Sequence, residues 1–455
     1  MPGPNRALRG ELKIPGDKSI SHRALIFSAL SSGQSLIRGL SPAADCQSTI
    51  DCLLKIGIKI EPVGAETASS AGPAARRQAP VQRREQADSQ QTISITAGGL
   101  HQLQSAEATL FCGNSGTTMR LLSGLLGGQP WTTTLDGDRS LRQRPMSRVL
   151  EPLVQMGAQV SYEASAGYAP FSLTGGGLHG VNFDIPLASA QVQTALLLAG
   201  LQADGETSVA VPAAVRDHTL RLFRHIGVSY RLDRSGRITV SRLSKPLPPF
   251  AVEIPADLSS AAFFMVAAAC LPGSQLHLPG VGINPGRRLV IDLLTAMGAD
   301  LKLTAIRETS GEPVADILIN GSGRLRGATV GGDILAAGID EIPILALAGS
   351  LCDGTFSVHE AAELRVKESD RLAAIISNLR DQGARVHEYA DGFQIEGKAA
   401  LPGGAPWRTF GDHRLAMTGL IANLLCEEPV EVDDPDCVQI SYPFFQKDLE
   451  SLLSG

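Results

Sequence analysis

The chain is poor in aromatic residues, in excess charge of either sign, in clustered cysteine and in long apolar runs. Aromatics make up only 4% of its 455 residues, and 40 Lys and Arg stand against 46 Asp and Glu for a net charge of −6. Neither figure suits a nucleic-acid or anionic-membrane surface as the main partner. No apolar run reaches the roughly 18 residues of a membrane span. The opening MPGPNRALRGELKIPG lacks the apolar core of a signal peptide, so the expectation is a cytoplasmic protein. The seven cysteines (Cys46, Cys52, Cys112, Cys270, Cys352, Cys426 and Cys437) are odd in number and scattered, with no C-x-x-C. That leaves neither a disulfide framework nor a zinc site. Cys112 reads as a small buried hydrophobe in preference to a reactive thiol. No carboxylate cluster has the spacing of a Mg²⁺ site and no Walker A sequence occurs, which argues against phosphoryl transfer from a nucleotide.

What the chain does have is an internal repeat. A helix ending in glycine and followed by a strand recurs in LLKIGIKIE, LVQMGAQVSYE, LFRHIGVSYRL, LLTAMGADLKL and NLRDQGARVHEY, and LESLLSG looks like a sixth. The glycines Gly57, Gly157, Gly227, Gly298, Gly383 and Gly455 are about 70–85 residues apart, apart from a first interval of about 100. The excess lies in Ala65–Gln91, which is low in apolar residues, reads as a flexible insertion, and restores the period when removed. Each unit also carries an earlier, more apolar helix with a polar start, so it reads as strand, helix, strand, helix and strands. Six such units divide naturally as three plus three, with a boundary near Ser241–Phe250.

The polar helix starts carry residues that packing does not require. GDKSISHRAL places Lys18, His22 and Arg23 in the first turns of a helix, where a cation costs roughly 0.3–1 kcal/mol against the macrodipole. GNSGTTMR supplies small residues whose N–H groups can approach an anion. Ser189 and Asp412 read as N-caps, and N-capping also accounts for Asp340 in DEIP. Arg414 is as awkward at its helix start as Lys18. In ELRVKESDRLAAI, Lys367 and Arg371 are four apart and are expected on one helix face, where like charges repel by about 0.2–0.5 kcal/mol. DGDRSLRQRPMSRV adds Arg139, Arg142, Arg144 and Arg148, and RDHTLRLFRH adds Arg216 and Arg221. Cations gathered at helix starts in a net-acidic chain point to a cleft for a small ligand bearing phosphate and carboxylate.

GDKSISHRAL, GNSGTTMRLL, RPMSRVLEPLVQMGA, PLASAQVQTALLLAGL, DEIPILALA, LRVKESDRL and GDHRLAM resemble, in this order, the motifs of the 5-enolpyruvylshikimate-3-phosphate (EPSP) synthase family. The resemblance runs from about Lys13 to Phe445 and omits the insertion. It implies an α/β fold, a two-domain inside-out α/β barrel of six βαβαββ repeats arranged three per domain. Residues 1–17 and 245–455 would form one domain and 18–244, with the insertion at about 65–91, the other. Helix N-termini would face a cleft between them. The family moves the enolpyruvyl group of phosphoenolpyruvate to the 5-hydroxyl of shikimate 3-phosphate, on the way to chorismate and aromatic amino acids. It does so through a tetrahedral ketal, without metal or organic cofactor, and glyphosate inhibits it.

By motif match, the resemblance implies that Lys18, Asp340 and Glu368 transfer protons. Shikimate 3-phosphate would meet Lys18, Ser19, Arg23, Ser189, Ala190, Gln191, Arg216, Asp340 and Lys367. Phosphoenolpyruvate would meet Lys18, Gly116, Arg144, Gln191, Arg371 and Arg414. The expected partners are these two small molecules, with no nucleic acid or membrane, and the chain is expected to be monomeric. Two positions depart from many members: Ile440 stands where they have Lys, and Ala190 where they have Ser. A methyl at Gly116 is expected to point toward the phosphoenolpyruvate pocket. The rival readings are the related transferase acting on UDP-N-acetylglucosamine, which usually carries a mobile-loop cysteine, and an inactive phosphate-ligand binder, which would need only the cations.

Overall fold

The computed structural model describes residues 6–63, 91–186, 189–211 and 216–453. The expected insertion lies outside them except for Gln91, which opens a strand, and so does Gly455. The chain forms two compact units. The first comprises Pro15–Ile254 with Thr309–Glu312; the second comprises the residues up to Ile14, Pro255–Glu308 and the chain from Pro313 onward. The sequence reading put the changes of domain after residues 17 and 244, a little away from these limits. Strand pairing gives the reason at the second limit. Leu247 bridges to Ser31, and Ala251–Glu253 pairs in parallel with Leu36–Arg38, so the stretch after Lys245 belongs to a sheet of the first unit.

Among the described residues there are twelve α-helices and six sheets, five of four strands and one of two. The four-stranded sheets share one pattern: a parallel edge pair, then two further antiparallel strands, the later of them in sequence lying beside the pair and the earlier at the far edge. In the first unit the parallel pairs are Ala251–Glu253 with Ser32–Leu40, Leu110–Phe111 with Thr132–Asp136, and Asn182–Asp184 with Glu206–Ala210. In the second they are Arg9–Glu11 with Gln275–Gly282, Thr329–Val330 with Thr355–Val358, and the two-stranded Leu401–Gly403 with Cys426–Glu428. The edge strands of the first repeats are therefore exchanged along the chain. The N-terminal strand serves the second unit, and Ala251–Glu253 fills the edge of the first.

The helices fall into two kinds. Lys18–Phe27, Gly116–Leu126 and Ala190–Gly200 in the first unit are buried over nearly all their length. So are Leu258–Cys270, Ile342–Ser350 and His413–Leu425 in the second. A helix apolar on all sides belongs inside a core, and these six are the cores around which the sheets are arranged. The other helix of each repeat, such as Ser147–Gln155 or His218–Ile226, buries one stripe only. The glycines that end these helices at 57, 157, 227, 298 and 383 all have φ between +84° and +112°. A side chain there would be strained, which is why the repeat is punctuated by glycine.

Close packing of the buried helices also depends on small residues. A Cβ on Gly124, in the Gly116–Leu126 helix, would lie 2.2 Å from the carbonyl oxygen of Ala195 in the Ala190–Gly200 helix. That neighbour is backbone and cannot swing aside. Gly124→Ala gains roughly 0.5–1 kcal/mol of helix propensity and loses about 1–3 kcal/mol or more to overpacking. The expected outcome is a net loss, read as a lower urea midpoint at unchanged slope. A midpoint at or above that of the parent would contradict the contact.

Candidate active site

Each unit gathers the starts of its three buried helices into one polar cluster. In the first unit Asp17 caps the Lys18 helix through the Ile20 N–H at 2.9 Å. Lys18, the next residue, puts its Nζ 2.8 Å from Asp45 Oδ2. Arg23 is buried, at 2% exposure. Its Nε donates to Thr219 Oγ1 at 2.8 Å and its NH1 to the Ser19 carbonyl at 2.9 Å. Its NH2 reaches Thr194 Oγ1 at 3.1 Å and the Ala190 carbonyl at 3.5 Å. Two helix starts are thereby tied together. Ser189 is an N-cap as expected, accepting from the Val192 N–H.

The Gly116 helix joins them through Arg120. NH1 of Arg120 donates to Gln191 Oε1 at 2.7 Å, while Gln191 Nε2 donates to Thr117 Oγ1 at 2.8 Å. The amide of Gln191 is therefore fixed in orientation. Arg144 is held on Asn114, with NH2 to Oδ1 at 2.7 Å and NH1 to the carbonyl at 3.3 Å. Asn114 in turn donates to Asp138 Oδ2 at 2.8 Å. The neighbouring Arg142 plays no part here: it pairs with Asp136 and is half exposed. Arg216 is half-buried beside the undescribed residues 212–215.

The second unit builds its cluster on Arg371, which is 1% exposed. Its Nε and NH2 donate to the two oxygens of Asp412 at 2.7 and 3.2 Å. NH2 also lies 2.6 Å from Glu368 Oε2, and NH1 is 3.1 Å from Asp340 Oδ1. Lys367 Nζ approaches the same Asp340 oxygen at 3.4 Å. Burial works against the charge of Arg371, yet Asp412, Glu368 and Asp340 outweigh it and hold the guanidinium above its ordinary pKa. Burial likewise opposes the charge of Asp412, but Arg371 keeps its carboxyl below the usual range. Arg414 donates from NH1 to the Asp340 carbonyl at 3.1 Å and lies 3.4 Å from Glu341 Oε1.

Two expectations are corrected here. Lys367 and Arg371 do not share a helix face: a short 3₁₀ turn ends at Val366, Lys367 is extended, and the helix starts at Arg371, capped by Asp370. They converge because Asp340 draws both. Asp340 is not an N-cap either. It lies in the 3₁₀ turn Ile339–Glu341, and the Ile342 helix has no side-chain cap. Asp412 does cap its helix, through the Arg414 N–H at 2.9 Å, while also holding Arg371. Cys112 is buried, and its contact with Cys52, together with burial, raises the thiol well above its ordinary pKa, so it is an inert thiol.

Sequence reasoning missed Asp45, Asn114, Arg120 and Glu341. Arg120 had a local signal, because it lies one turn after Gly116 on the same helix. Asp45 had none, being paired to Lys18 across 27 residues of sequence. Among the described residues no helix is long and apolar enough to cross a membrane, and no group of three or more His, Cys, Asp or Glu could hold a metal ion.

Comparison with known proteins gives a consistent answer. A family model described as EPSP synthase (3-phosphoshikimate 1-carboxyvinyltransferase) matches residues 3–84 and 78–449. A protein of Geobacter sulfurreducens named 3-phosphoshikimate 1-carboxyvinyltransferase is 43% identical over 442 residues, 97% of this chain and 96% of its own length. One of the same name from Bacillus subtilis is 40% identical over 447 residues, 98% of each chain. Among solved structures, EPSP synthase from Acinetobacter baumannii superposes with a TM-score of 0.83 at 37% identity, covering 99% of this chain and 97% of that one. The enolpyruvyl transferase NikO from Streptomyces tendae, at 17% identity and a TM-score of 0.76 over 99% and 96% of the two chains, shares the fold.

One group in the first cluster makes a test of the geometry itself. His22 is fully buried, with Nδ1 2.7 Å from Thr49 Oγ1 and Nε2 without a hydrogen-bond partner among the described residues. Burial, helped by Lys18 and Arg23 and opposed by Asp45, lowers its pKa from 6.5 to about 3. Unfolding lets it protonate, so the folded state loses stability as pH falls from about 6.5 toward 3, by about 1.4 kcal/mol per unit. Urea unfolding at pH 7 and pH 5 is expected to differ by about 2 kcal/mol from this group. His22→Gln should flatten the slope over that interval. An unchanged slope would mean that His22 is charged in the folded protein.

Proposed function

Since the chain belongs to the EPSP synthase family, we propose that it transfers the enolpyruvyl group of phosphoenolpyruvate to the 5-hydroxyl of shikimate 3-phosphate, releasing phosphate. The observation that carries this reading is the arrangement of Asp340 and Glu368 around a buried arginine, with Lys367 on the same carboxylate. A protein that only bound anions would be served by the cations and weakened by the carboxylates. A proton-transfer enzyme needs both.

Asp340 takes or orients the proton of the attacking hydroxyl, its carboxylate held in place by Arg371 and Lys367. Carbon–oxygen bond formation at C2 of phosphoenolpyruvate is coupled to proton delivery at its methylene carbon, which gives the tetrahedral ketal. Loss of phosphate and return of that methyl proton to the protein give the product. Lys18 and Glu368 serve the methylene and phosphate side. Ser19, Arg23, Ser189, Ala190 through its backbone, Gln191, Arg216 and Lys367 hold shikimate 3-phosphate with Lys18 and Asp340. Gly116, Arg144, Gln191, Arg371 and Arg414 hold phosphoenolpyruvate with Lys18. The Nε–NH2 edge of Arg414, whose NH1 is held by Glu341 and the Asp340 carbonyl, suits bidentate contact with the carboxylate or phosphate of that ligand. The protein acts as a cytoplasmic monomer on these small molecules, without nucleic acid.

The reading is tested by phosphate release from phosphoenolpyruvate in the presence of chelator. Release is expected with shikimate 3-phosphate and not with UDP-N-acetylglucosamine; the reverse would overturn the substrate assignment. Asp340→Asn and Glu368→Gln should each lower kcat by roughly 10²–10⁴, with smaller effects on substrate affinity. Gly116 refines an expectation. A Cβ there would lie 2.8 Å from Arg120 NH1, so the methyl displaces the group that orients Gln191 before it meets any ligand. Gly116→Ala is expected to weaken glyphosate inhibition more than it raises the KM for phosphoenolpyruvate. Equal losses would point to a general disturbance of Gln191.

A further inference from the structure

Beneath Arg414 in the second unit runs a buried polar chain that the reaction does not itself require. Arg287, 4% exposed, donates from NH2 to the hydroxyl of Ser259, and the same nitrogen lies 3.4 Å from Asp257 Oδ1. Ser259, 3% exposed, sits in the first turn of the Leu258 helix, its N–H held by Asp257 at 3.0 Å. Its hydroxyl donates to Glu341 Oε1. Glu341, 1% exposed, offers that oxygen to Arg414 NH1 at 3.4 Å. The direction of the chain is set. The serine accepts from an arginine that can only donate, so its one proton is directed to the carboxylate.

Glu341 is an odd residue for this place. It precedes the Ile342 helix and does not cap it. Its second oxygen, Oε2, is buried with no hydrogen-bond partner among the described residues. A half-satisfied buried carboxylate costs the fold stability, so stability does not explain it. Its effect falls on Arg414. NH1 of that residue is engaged by Glu341 and by the Asp340 carbonyl, while Nε and NH2 have no partner among the described residues. Anchoring one nitrogen of a planar guanidinium fixes the plane of the rest, and the Nε–NH2 edge is the one that takes an oxyanion in bidentate fashion.

We propose that Glu341, held by Ser259 and Arg287, is a positioning residue that orients the free edge of Arg414 toward the carboxylate or phosphate of phosphoenolpyruvate and thereby sets affinity for that substrate. This rests on the functional reading above, from which Arg414 takes its ligand. Glu341→Ala should raise the KM for phosphoenolpyruvate about tenfold or more, change kcat by less than about threefold, and leave the Kd of shikimate 3-phosphate unchanged. Glu341→Gln, which keeps an acceptor oxygen, should recover most of the loss.

The deciding measurement is a double-mutant cycle with Arg414→Gln. In that background Glu341→Ala should add nothing further to the KM. The same multiplicative penalty in both backgrounds, or equal losses of affinity for both substrates, would overturn the proposal. Should Glu341→Ala fail to fold, Ser259→Ala and Glu341→Gln enter the same cycle, with smaller effects expected that again vanish without Arg414. If the wild-type chain released no phosphate from phosphoenolpyruvate, the functional reading would fall. The cycle would then be run on calorimetric binding of phosphoenolpyruvate, where additivity would still refute the role of Glu341.

Discussion

Burying a helix on every side leaves its ends as the only places where its polar groups can meet anything but hydrocarbon. Both units are built on three such helices, and this constraint shapes the rest. The first N–H groups of each helix have no partner within it. Five of the six starts meet part of that need with a capping Asp or Ser: Asp17, Ser115, Ser189, Asp257 and Asp412. What the caps leave is a set of donors and a positive potential at one place in each unit. Oxyanions are the natural occupants of such a place.

Cations would make that potential worse if they were left alone, and the structure shows how they are tolerated. Lys18 leans on Asp45, Arg23 on hydroxyl and carbonyl oxygens, and Arg371 on Asp412, Glu368 and Asp340. The arrangement around Arg371 matters most for the chemistry. A buried guanidinium without carboxylates would cost several kcal/mol, and removing one member of such a set typically costs about 3–5 kcal/mol. Asp340 and Glu368 are thus held in place by a charge that must itself be compensated. Both carboxylates gain fixed positions from an interaction that the fold needs anyway.

The two positions at which the sequence resemblance implied a departure can be placed in the same terms. Ile440 ends a short 3₁₀ turn and packs partly buried against the core of the second unit, so its side chain makes an apolar contact there. Ala190 brings no hydroxyl, yet its carbonyl accepts hydrogen bonds from Thr194 at 2.6 Å and from Arg23. The backbone at that helix start remains part of the polar cluster.

Much of this was legible along the chain. The six-fold recurrence, the glycine stops, the caps Ser189 and Asp412, and the division into two α/β units all follow from neighbours within a few residues, because helix periodicity and capping act over one or two turns. Ordered motifs extended that reading to a family. The sequence misled where spacing alone was used, as when Lys367 and Arg371 were given one helix face and Asp340 a cap. It was silent where partners are remote: Arg23 meets Thr219 across 196 residues, Arg120 meets Gln191 across 71, and Arg414 meets the carbonyl of Asp340 across 74. The exchange of edge strands between the first repeats belongs here too. Local pattern determines which residues form a helix and where it stops. Which charge neutralises which is decided by packing, since burial makes an unpaired charge too costly to leave and the chain must bring distant oxygens to it.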